Sequence, residues 1–273
     1  MDASTSDARF SGSIAELYER LLVPMIFQPF ADDLVARIAA LPGTRVLELA
    51  AGTGVVTRGL ASHLPADASI IATDLNAPML ELAARTGTVR PVTWQQADAM
   101  QLPFEDSSVD IVACQFGVMF FPDKAKAFAE ARRVLRPGGT LVFNTWDRLE
   151  ANTFPEIVTR TLAMVFPDDP PRFLARVPHG YADPDVVARD LAAAGFKSPP
   201  RIATVAARSR ADTPRLAAIA FCMGTPLRNE IEMRGDGQLE AAVDATAEAL
   251  ANAGSTQGAI EGELQAHVVA VSR

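Results

Sequence analysis

Two periodicities alternate along this chain, and their order predicts its fold. Between Ile14 and Leu41 apolar positions recur at helical spacing: Leu17, Leu21 and Leu22, then Leu34, Ile38 and Leu41. Interruptions near Pro24 and Pro29 divide the stretch into two short helices with a bend between them. Residues 1–12 carry no such pattern and are expected to be loose. At Arg45 the period changes. Arg45–Leu49 is an aliphatic run ending in a glycine-bearing turn, and a helix follows over Val55–His63. Ser69–Thr73 predicts a second strand; Asn76 is placed to cap the next helix, with Pro78 tolerated in its first turn. Val92–Gln95 and Val109–Cys114 predict the third and fourth strands. A helix over Ala125–Leu135 is stopped by Arg136-Pro137-Gly138-Gly139, and Thr140–Thr145 is the fifth strand. Strands this apolar, alternating with helices, form a parallel sheet covered on both faces.

After Trp146 the rhythm breaks. Residues 147–180 hold Phe154, Phe166, a Pro-Asp-Asp-Pro-Pro run at 167–171 and Phe173, which predicts an inserted cap rather than another strand–helix unit. A helix from Asp183 to Gly195, a sixth strand over Arg201–Ala207 and helical stretches near 213–223 and 238–252 follow. The final strand, Glu263–Val271, puts Leu264, Ala266, Val268 and Ala270 on one face. The expected fold is α/β: a Rossmann-like, seven-stranded, mostly parallel sheet with its last strand antiparallel, helices on both faces and helical lid insertions.

Composition narrows the partners. Hydrophobic residues make up 49% of the 273, enough for a sizeable core, yet no run approaches the ~20 apolar residues of a membrane span. The net charge of −8, with no Lys/Arg-rich run, repels a polyanion and argues against nucleic acid. Two distant cysteines, Cys114 and Cys222, suggest no disulfide framework, and three scattered histidines suggest no metal site. The polar first residues do not resemble a secretory signal, so the expected compartment is the cytoplasm.

The candidate chemistry sits in the turns. In Val46-Leu47-Glu48-Leu49-Ala50-Ala51-Gly52-Thr53-Gly54 an apolar strand runs into small residues and then a helix. Small residues let backbone N–H groups approach a ligand, and the helix start adds partial positive charge. Asp74 ends the second strand, 22 residues beyond Gly52, where a carboxylate can accept both hydroxyls of a ribose. Asp98-Ala99, just past the third strand, can read the edge of an adenine. All three fall at the carboxyl edge of the sheet, where open α/β folds bind ligands.

With these residues the chain resembles the class I methyltransferases, in the small-molecule group that includes the quinone-biosynthesis enzymes. The motifs that match in order and spacing are Glu48-x-Ala50-x-Gly52-x-Gly54, Asp74, Asp98-Ala99, the stretch Asp110–Asp123 and Arg133-Val134-Leu135-Arg136-Pro137-Gly138-Gly139, within roughly residues 14–207. Ala50 departs from the glycine many members carry, with little effect expected. Residues 208–260 exceed the short hairpin common in relatives.

The resemblance implies S-adenosylmethionine as cofactor, S-adenosylhomocysteine as product and a small-molecule acceptor. It further implies that Glu48 steadies the glycine loop and that Gly52, Thr53 and Gly54 receive the amino-acid end. Asp74 would hold the ribose, with Leu75 and Met79 against the adenine. Asp98 would take the adenine amine, with Ala99 and Met100 beside it. Gln115 and Phe116 would lie near the methyl, and Tyr18 would close over the cofactor. One domain is then expected over residues 1–273. Its parts are lid helices in 1–41, a cofactor core in 42–146, an acceptor-side insertion in 147–182, and a C-terminal sheet portion in 183–273 with the 208–260 extension.

His179 and Tyr181 are the candidate general bases. His63 and His267 read as structural, and Glu16, Glu19 and Arg20 as a solvated helix face. Phe27, Phe30, Phe154, Phe166, Phe173, Phe221 and Met223 would suit an apolar acceptor or serve equally as core or dimer contact. The assembly is expected to be a monomer or homodimer. Two rival readings remain. A nicotinamide-dependent oxidoreductase shares the glycine loop and ribose carboxylate but needs G-x-G-x-x-G, which is absent. A non-catalytic cofactor-binding module would keep Asp74 and Asp98 without turnover.

Overall fold

Strands β1 (Arg45–Leu49), β2 (Ser69–Asp74), β3 (Thr93–Gln96), β4 (Val109–Gln115), β5 (Leu135–Trp146), β6 (Arg201–Ala211) and β8 (Ala259–Ser272) form one sheet in the computed structural model, which describes residues 12–256 and 258–273. They lie in the order β3-β2-β1-β4-β5-β8-β6, and the two-residue β7 (Ser255–Thr256) pairs with β8 off that path. The first five are mutually parallel; β8 runs antiparallel to both β5 and β6. The expected seven-stranded sheet with an antiparallel last strand is the observed one. A two-residue eighth strand was not foreseen.

The parallel strands are buried on both faces because helices cover both. Helix α2 (Gln28–Ala39) packs on α3 (Val55–His63), and α5 (Lys124–Val134) on α8 (Pro184–Ala193). Phe30, Phe128 and Phe143 are at most 2% exposed, with Phe128 stacked on Phe143 at 5.2 Å. Helix α4 is Ala77–Thr86. Its N-cap is Asn76, as expected, but that side chain donates to Asp74 instead of capping the helix.

The N-terminal segment differs from expectation. The chain stays helical through Pro24. Helix α1 (Gly12–Leu17) passes into a π-helical stretch, Tyr18–Phe27, that contains Pro24 and continues directly into α2. A proline offers no N–H and its ring crowds the carbonyl four residues back. Widening to five-residue hydrogen bonds, such as the Gln28 N–H donating to the Val23 carbonyl, relieves the crowding without a break. Gly12 is helical; the rest of the segment expected to be loose, residues 1–11, lies outside the described residues.

Residues 147–180 contain no strand, only a short 3₁₀ turn and helices α6 (Thr153–Val165) and α7 (Phe173–Arg176). The extension between β6 and β8 holds α9 (Pro214–Met223), the unforeseen α10 (Leu227–Glu232) and α11 (Gln238–Asn252). Helix α9 packs on α11 and on the π-helical stretch, while α11 packs on α6. Helices from three distant parts of the sequence therefore pack together.

Two of the matched motifs serve the opposite, amino-terminal rim. Burial alone would raise the Asp110 carboxyl, but the Arg45 and Thr44 amides and the Arg136 guanidinium together hold it below its usual range. Arg133 is bidentate to Glu130 and also donates to the Phe104 and Leu102 carbonyls and to Asp106, pinning the loop before β4. Strand β5 starts at Leu135, five residues earlier than expected. Gly138, at φ +79°, turns residues 136–139 into an irregularity opposite Val109 and Ile111.

Candidate active site

The turn after β1 sets the geometry. The Ala51 N–H donates to the Thr73 carbonyl at 2.9 Å, and the Gly54 N–H to the Ala51 carbonyl at 2.9 Å, closing the loop onto β2. Ala50, Gly52 and Gly54 all have positive φ, of 51°, 57° and 83°. A left-handed alanine is strained by about 1–2 kcal/mol, so Ala50 matters through its backbone angle as well as its small size. Above Gly52 the space is open: a Cβ there would find only the Tyr18 hydroxyl, 3.9 Å away.

Asp74 is 6% exposed and buttresses this loop. Its Oδ2 accepts the Gly52 N–H at 2.8 Å, while Oδ1 accepts the Asn76 N–H at 2.8 Å and its side-chain amide at 3.2 Å. Burial raises its carboxyl above the ordinary range, against the lowering effect of these donors. At the next turn Asp98 Oδ1 accepts the Met100 N–H at 2.8 Å. Tyr18 stacks on Phe27 at 4.8 Å, and burial, then Asp74 and Glu19, raise its hydroxyl.

One cavity of about 530 Å³ connects these turns, within the range typical of ligand sites. Of the predicted residues it brings together Tyr18, Ala50, Gly52, Asp74, Leu75, Met79, Asp98, Ala99, Met100, Gln115, Phe116 and His179. Glu48, Thr53 and Gly54 do not reach its wall. Glu48 is 1% exposed and its Oε2 accepts the Thr57 hydroxyl at 2.6 Å; burial pushes its carboxyl up to about 8. Thr53 offers its carbonyl to Arg58 at 2.6 Å. Gly54 lies against Trp94 and Ala83. Arg58 also pairs with Glu19 at 2.7 Å, so Glu19 clasps the N-terminal helix to the glycine loop instead of facing solvent.

Tyr181 is likewise absent from the wall. Its hydroxyl donates to Asp190 at 2.7 Å, and burial and that carboxylate raise it, which makes it an anchor for the insertion. His63 is exposed at its helix end, and His267 sits between Thr204 and Asp147. Of the proposed apolar set, Phe27, Phe173 and Phe221 line the cavity, whereas Phe30, Phe154, Phe166 and Met223 do not.

Sequence reasoning missed Trp146. Its ring stacks on Phe116 at 3.8 Å and 8°, forming the floor between the two ends of the cavity. Its place at the carboxyl end of β5, on the ligand-binding rim, was an available signal. Phe116 itself has φ 49° and is held there by its N–H donating to Asn144 Oδ1 at 2.8 Å.

A protein family described as "Methyltransferase domain" matches residues 47–143. The demethylmenaquinone methyltransferase of Lactiplantibacillus plantarum is 42% identical over 112 residues, covering 40% of this chain and 47% of that protein. The demethylmenaquinone methyltransferase of Corynebacterium kroppenstedtii is 31% identical over 170 residues, covering 59% of this chain and 71% of that protein. The chain spans about half the length of the first curated relatives it matches. Among solved structures, phosphoethanolamine N-methyltransferase 2 of Haemonchus contortus, in complex with phosphomonomethylethanolamine and S-adenosylhomocysteine, superposes with a TM-score of 0.61 at 17% identity, over 98% of this chain and 60% of that one. The YcgJ protein of Bacillus subtilis gives 0.59 at 20% identity, over 90% and 98%. On the sequence relatives, with the fold in agreement, the chain belongs to the class I S-adenosylmethionine-dependent methyltransferases, in the group related to quinone biosynthesis.

Proposed function

We propose that the chain transfers a methyl group from S-adenosylmethionine to O, N, S or C of a small, largely apolar organic acceptor. The observation that carries this reading is the single cavity running from Asp74 and Asp98 to Gln115, Phe116 and the aromatic floor. The residues fit the cofactor: a carboxylate at each of two adjacent turns for the ribose and adenine, open space above Gly52, and apolar Leu75 and Met79 for the base faces. When bound, S-adenosylmethionine supplies an electrophilic methyl on a sulfonium whose departure needs no proton. The protein's part is alignment and exclusion of water, worth up to ~7–11 kcal/mol in favourable cases. The Phe116–Trp146 stack and the lid residues Phe27, Phe173 and Phe221 perform both tasks.

Residues 1–41, 147–182 and 208–260 are assigned to the acceptor lid, over a cofactor core in 42–146. Among the described residues the cavity lining includes no lysine or arginine, and so offers no counter-charge to a phosphorylated acceptor such as the one bound by the Haemonchus enzyme. The same lack and the net charge of −8 favour a neutral small molecule over nucleic acid. Among the described residues no helix is long and apolar enough to cross a membrane. Monomer or homodimer remains the proposed assembly, in the cytoplasm.

Isothermal titration with S-adenosylhomocysteine tests the reading. Wild type is expected to bind, and Asp74→Asn to bind about 10–100-fold more weakly, the value of a charge-assisted hydrogen bond of about 1.5–3 kcal/mol. Absence of binding at millimolar ligand, or saturable binding of NADH instead, would overturn the assignment.

A further inference from the structure

Behind the glycine loop, outside the cavity wall, stands a buried acid that alignment of cofactor and acceptor leaves unused. Glu48 is 1% exposed, on β1 level with Ala72 of β2 and Ala113 of β4. Its donor is the Thr57 hydroxyl, a neutral group 2.6 Å from Oε2. Arg58, the next residue of α3, is engaged by Glu19 at 2.7 Å and the Thr53 carbonyl at 2.6 Å. Asp74, at the same rim, instead receives the N–H groups of Gly52 and Asn76. A carboxylate buried with one neutral donor and no cation of its own is costly, so Glu48 keeps its proton. Burial pushes its carboxyl up to about 8, with the Thr57 hydroxyl and Arg58 opposing and Asp74 adding.

Two further titratable groups stand around this cluster, and both stay neutral near pH 7. Cys114 on β4 is pushed up to about 12, burial dominating and Glu48 and Asp74 adding against the Gly117 and Val118 amides. Tyr18, in the π-helical stretch, is raised by burial, then by Asp74 and Glu19. Charge at the cavity reaches Glu48, because Asp74 lines that cavity and shifts the Glu48 carboxyl. A positive charge placed there acts with the opposite sign. S-adenosylmethionine brings one on its sulfonium; S-adenosylhomocysteine is the same molecule without that methyl and that charge. Among the described residues the lining holds no lysine or arginine, so no cation in the wall masks the difference.

We propose that Glu48 is the residue through which the site distinguishes cofactor from product: it releases its proton to solvent when the sulfonium binds and takes one back once the methyl has left. The inference rests on the methyl-transfer reading. Glu48 touches neither ligand and acts through the field across the glycine loop. The free protein holds the proton up to about pH 8, and a bound sulfonium lowers that limit by stabilising the carboxylate. Between the two limits cofactor binding releases a proton, so cofactor affinity rises with pH. The neutral thioether leaves the proton in place. Rising pH therefore favours exchange of spent product for fresh cofactor.

Isothermal titration at pH 7, in two buffers of different ionisation enthalpy, counts the protons exchanged. Wild type is expected to release about half a proton more with S-adenosylmethionine than with S-adenosylhomocysteine, and Glu48→Gln to lose that excess. From pH 6 to pH 8 the affinity ratio of cofactor to product should rise about tenfold more in wild type than in the variant. The ligands' own α-amines titrate alike with both proteins and drop out of the comparison. Infrared difference spectra of wild type labelled with carbon-13 at its glutamate carboxyls need neither turnover nor a folded variant. The isotope-shifted band of a protonated carboxyl should weaken with S-adenosylmethionine and persist with S-adenosylhomocysteine. An excess that survives in Glu48→Gln, or a weakened band without the isotope shift, would assign the proton to an aspartate and overturn the proposal. Equal release with both ligands, or no change in the band, would overturn it too; each of these results leaves methyl transfer standing. Failure of both ligands to bind would overturn the parent reading and this inference with it.

Discussion

Between about pH 5 and pH 8 the protein is expected to lose on the order of 4 kcal/mol of unfolding free energy to Glu48, and Glu48→Gln is expected to abolish most of that loss. Glu48 lies on β1, 1% exposed, between α3 and the glycine loop. Burial dominates and pushes its carboxyl up to about 8; the Thr57 hydroxyl and Arg58 oppose this, and Asp74 adds to it. The folded protein therefore holds this proton more tightly than the unfolded chain, whose ordinary value is 4.5. The contribution is complete below 4.5 and disappears as the pH rises towards 8, at about 1.4 kcal/mol per unit. Asp74, also raised, adds to the loss with the same sign. A glutamine keeps an oxygen for the Thr57 hydroxyl and cannot ionise. Urea midpoints at pH 5 and pH 8 measure the effect, with m expected to stay constant. Parallel falls for wild type and variant would show that Glu48 is ionised throughout. His179 acts at the other end. Its folded value is about 4 and its ordinary value 6.5, so it contributes fully above 6.5 and costs stability as the pH drops towards 4. The two windows overlap between 4.5 and 6.5, where the opposite slopes offset each other, so the wild type's net fall comes mainly above 6.5, while Glu48→Gln should gain stability between pH 5 and 6.5.

The contrast between Glu48 and His179 illustrates what the sequence could and could not disclose. Strand positions were legible because each β-strand is a short apolar run whose burial forces its pattern: β1 and α3 occupy the expected residues. The three turns that line the cavity were legible because small residues and carboxylates at strand ends have few other uses. Roles that depend on which of two neighbours a side chain faces were not. Glu48 and Asp74 both close strands at the same rim, yet one accepts from Thr57 behind the loop and the other from Gly52 at the cavity. His179 and Tyr181 are two residues apart, but only the former meets the chamber, because the turn from α7 sets their directions. Gly180 illustrates the same limit. Its lack of a side chain is required by the close approach of the Arg176 carbonyl, its own chain, rather than by a ligand. Across Pro24, a local rule that predicts a break gave way to a π-helical stretch whose Leu22, Val23, Met25, Ile26 and Phe27 are all buried.

The two glycines of the loop are expected to fail in different ways when replaced by alanine, and this separates scaffold from site. At Gly54 a Cβ would stand 2.9 Å from Trp94 Cη2 and 3.2 Å from the Ala83 Cβ, on a backbone with φ +83°. The left-handed angle costs about 1–2 kcal/mol and overpacking against α4 and β3 about 1–3 more. Gly54→Ala should therefore lower unfolding free energy by about 3 kcal/mol or more. At Gly52, with φ +57°, the added Cβ meets nothing nearer than the Tyr18 hydroxyl, so only the angular cost remains. That Cβ would instead project into the cavity where the cofactor's amino-acid end is proposed to lie. Gly52→Ala should thus unfold only slightly earlier than wild type while S-adenosylhomocysteine affinity falls at least about tenfold, some 1.4 kcal/mol. Adding Trp94→Leu to Gly54→Ala should recover the part of the steric share that the ring imposes and leave the Ala83 contact and the angular cost. Denaturant titration and calorimetry on the four proteins give both quantities. Equal stability losses at the two glycines would mean that the loop is not packed against Trp94. Unchanged affinity in Gly52→Ala would place the cofactor away from this turn.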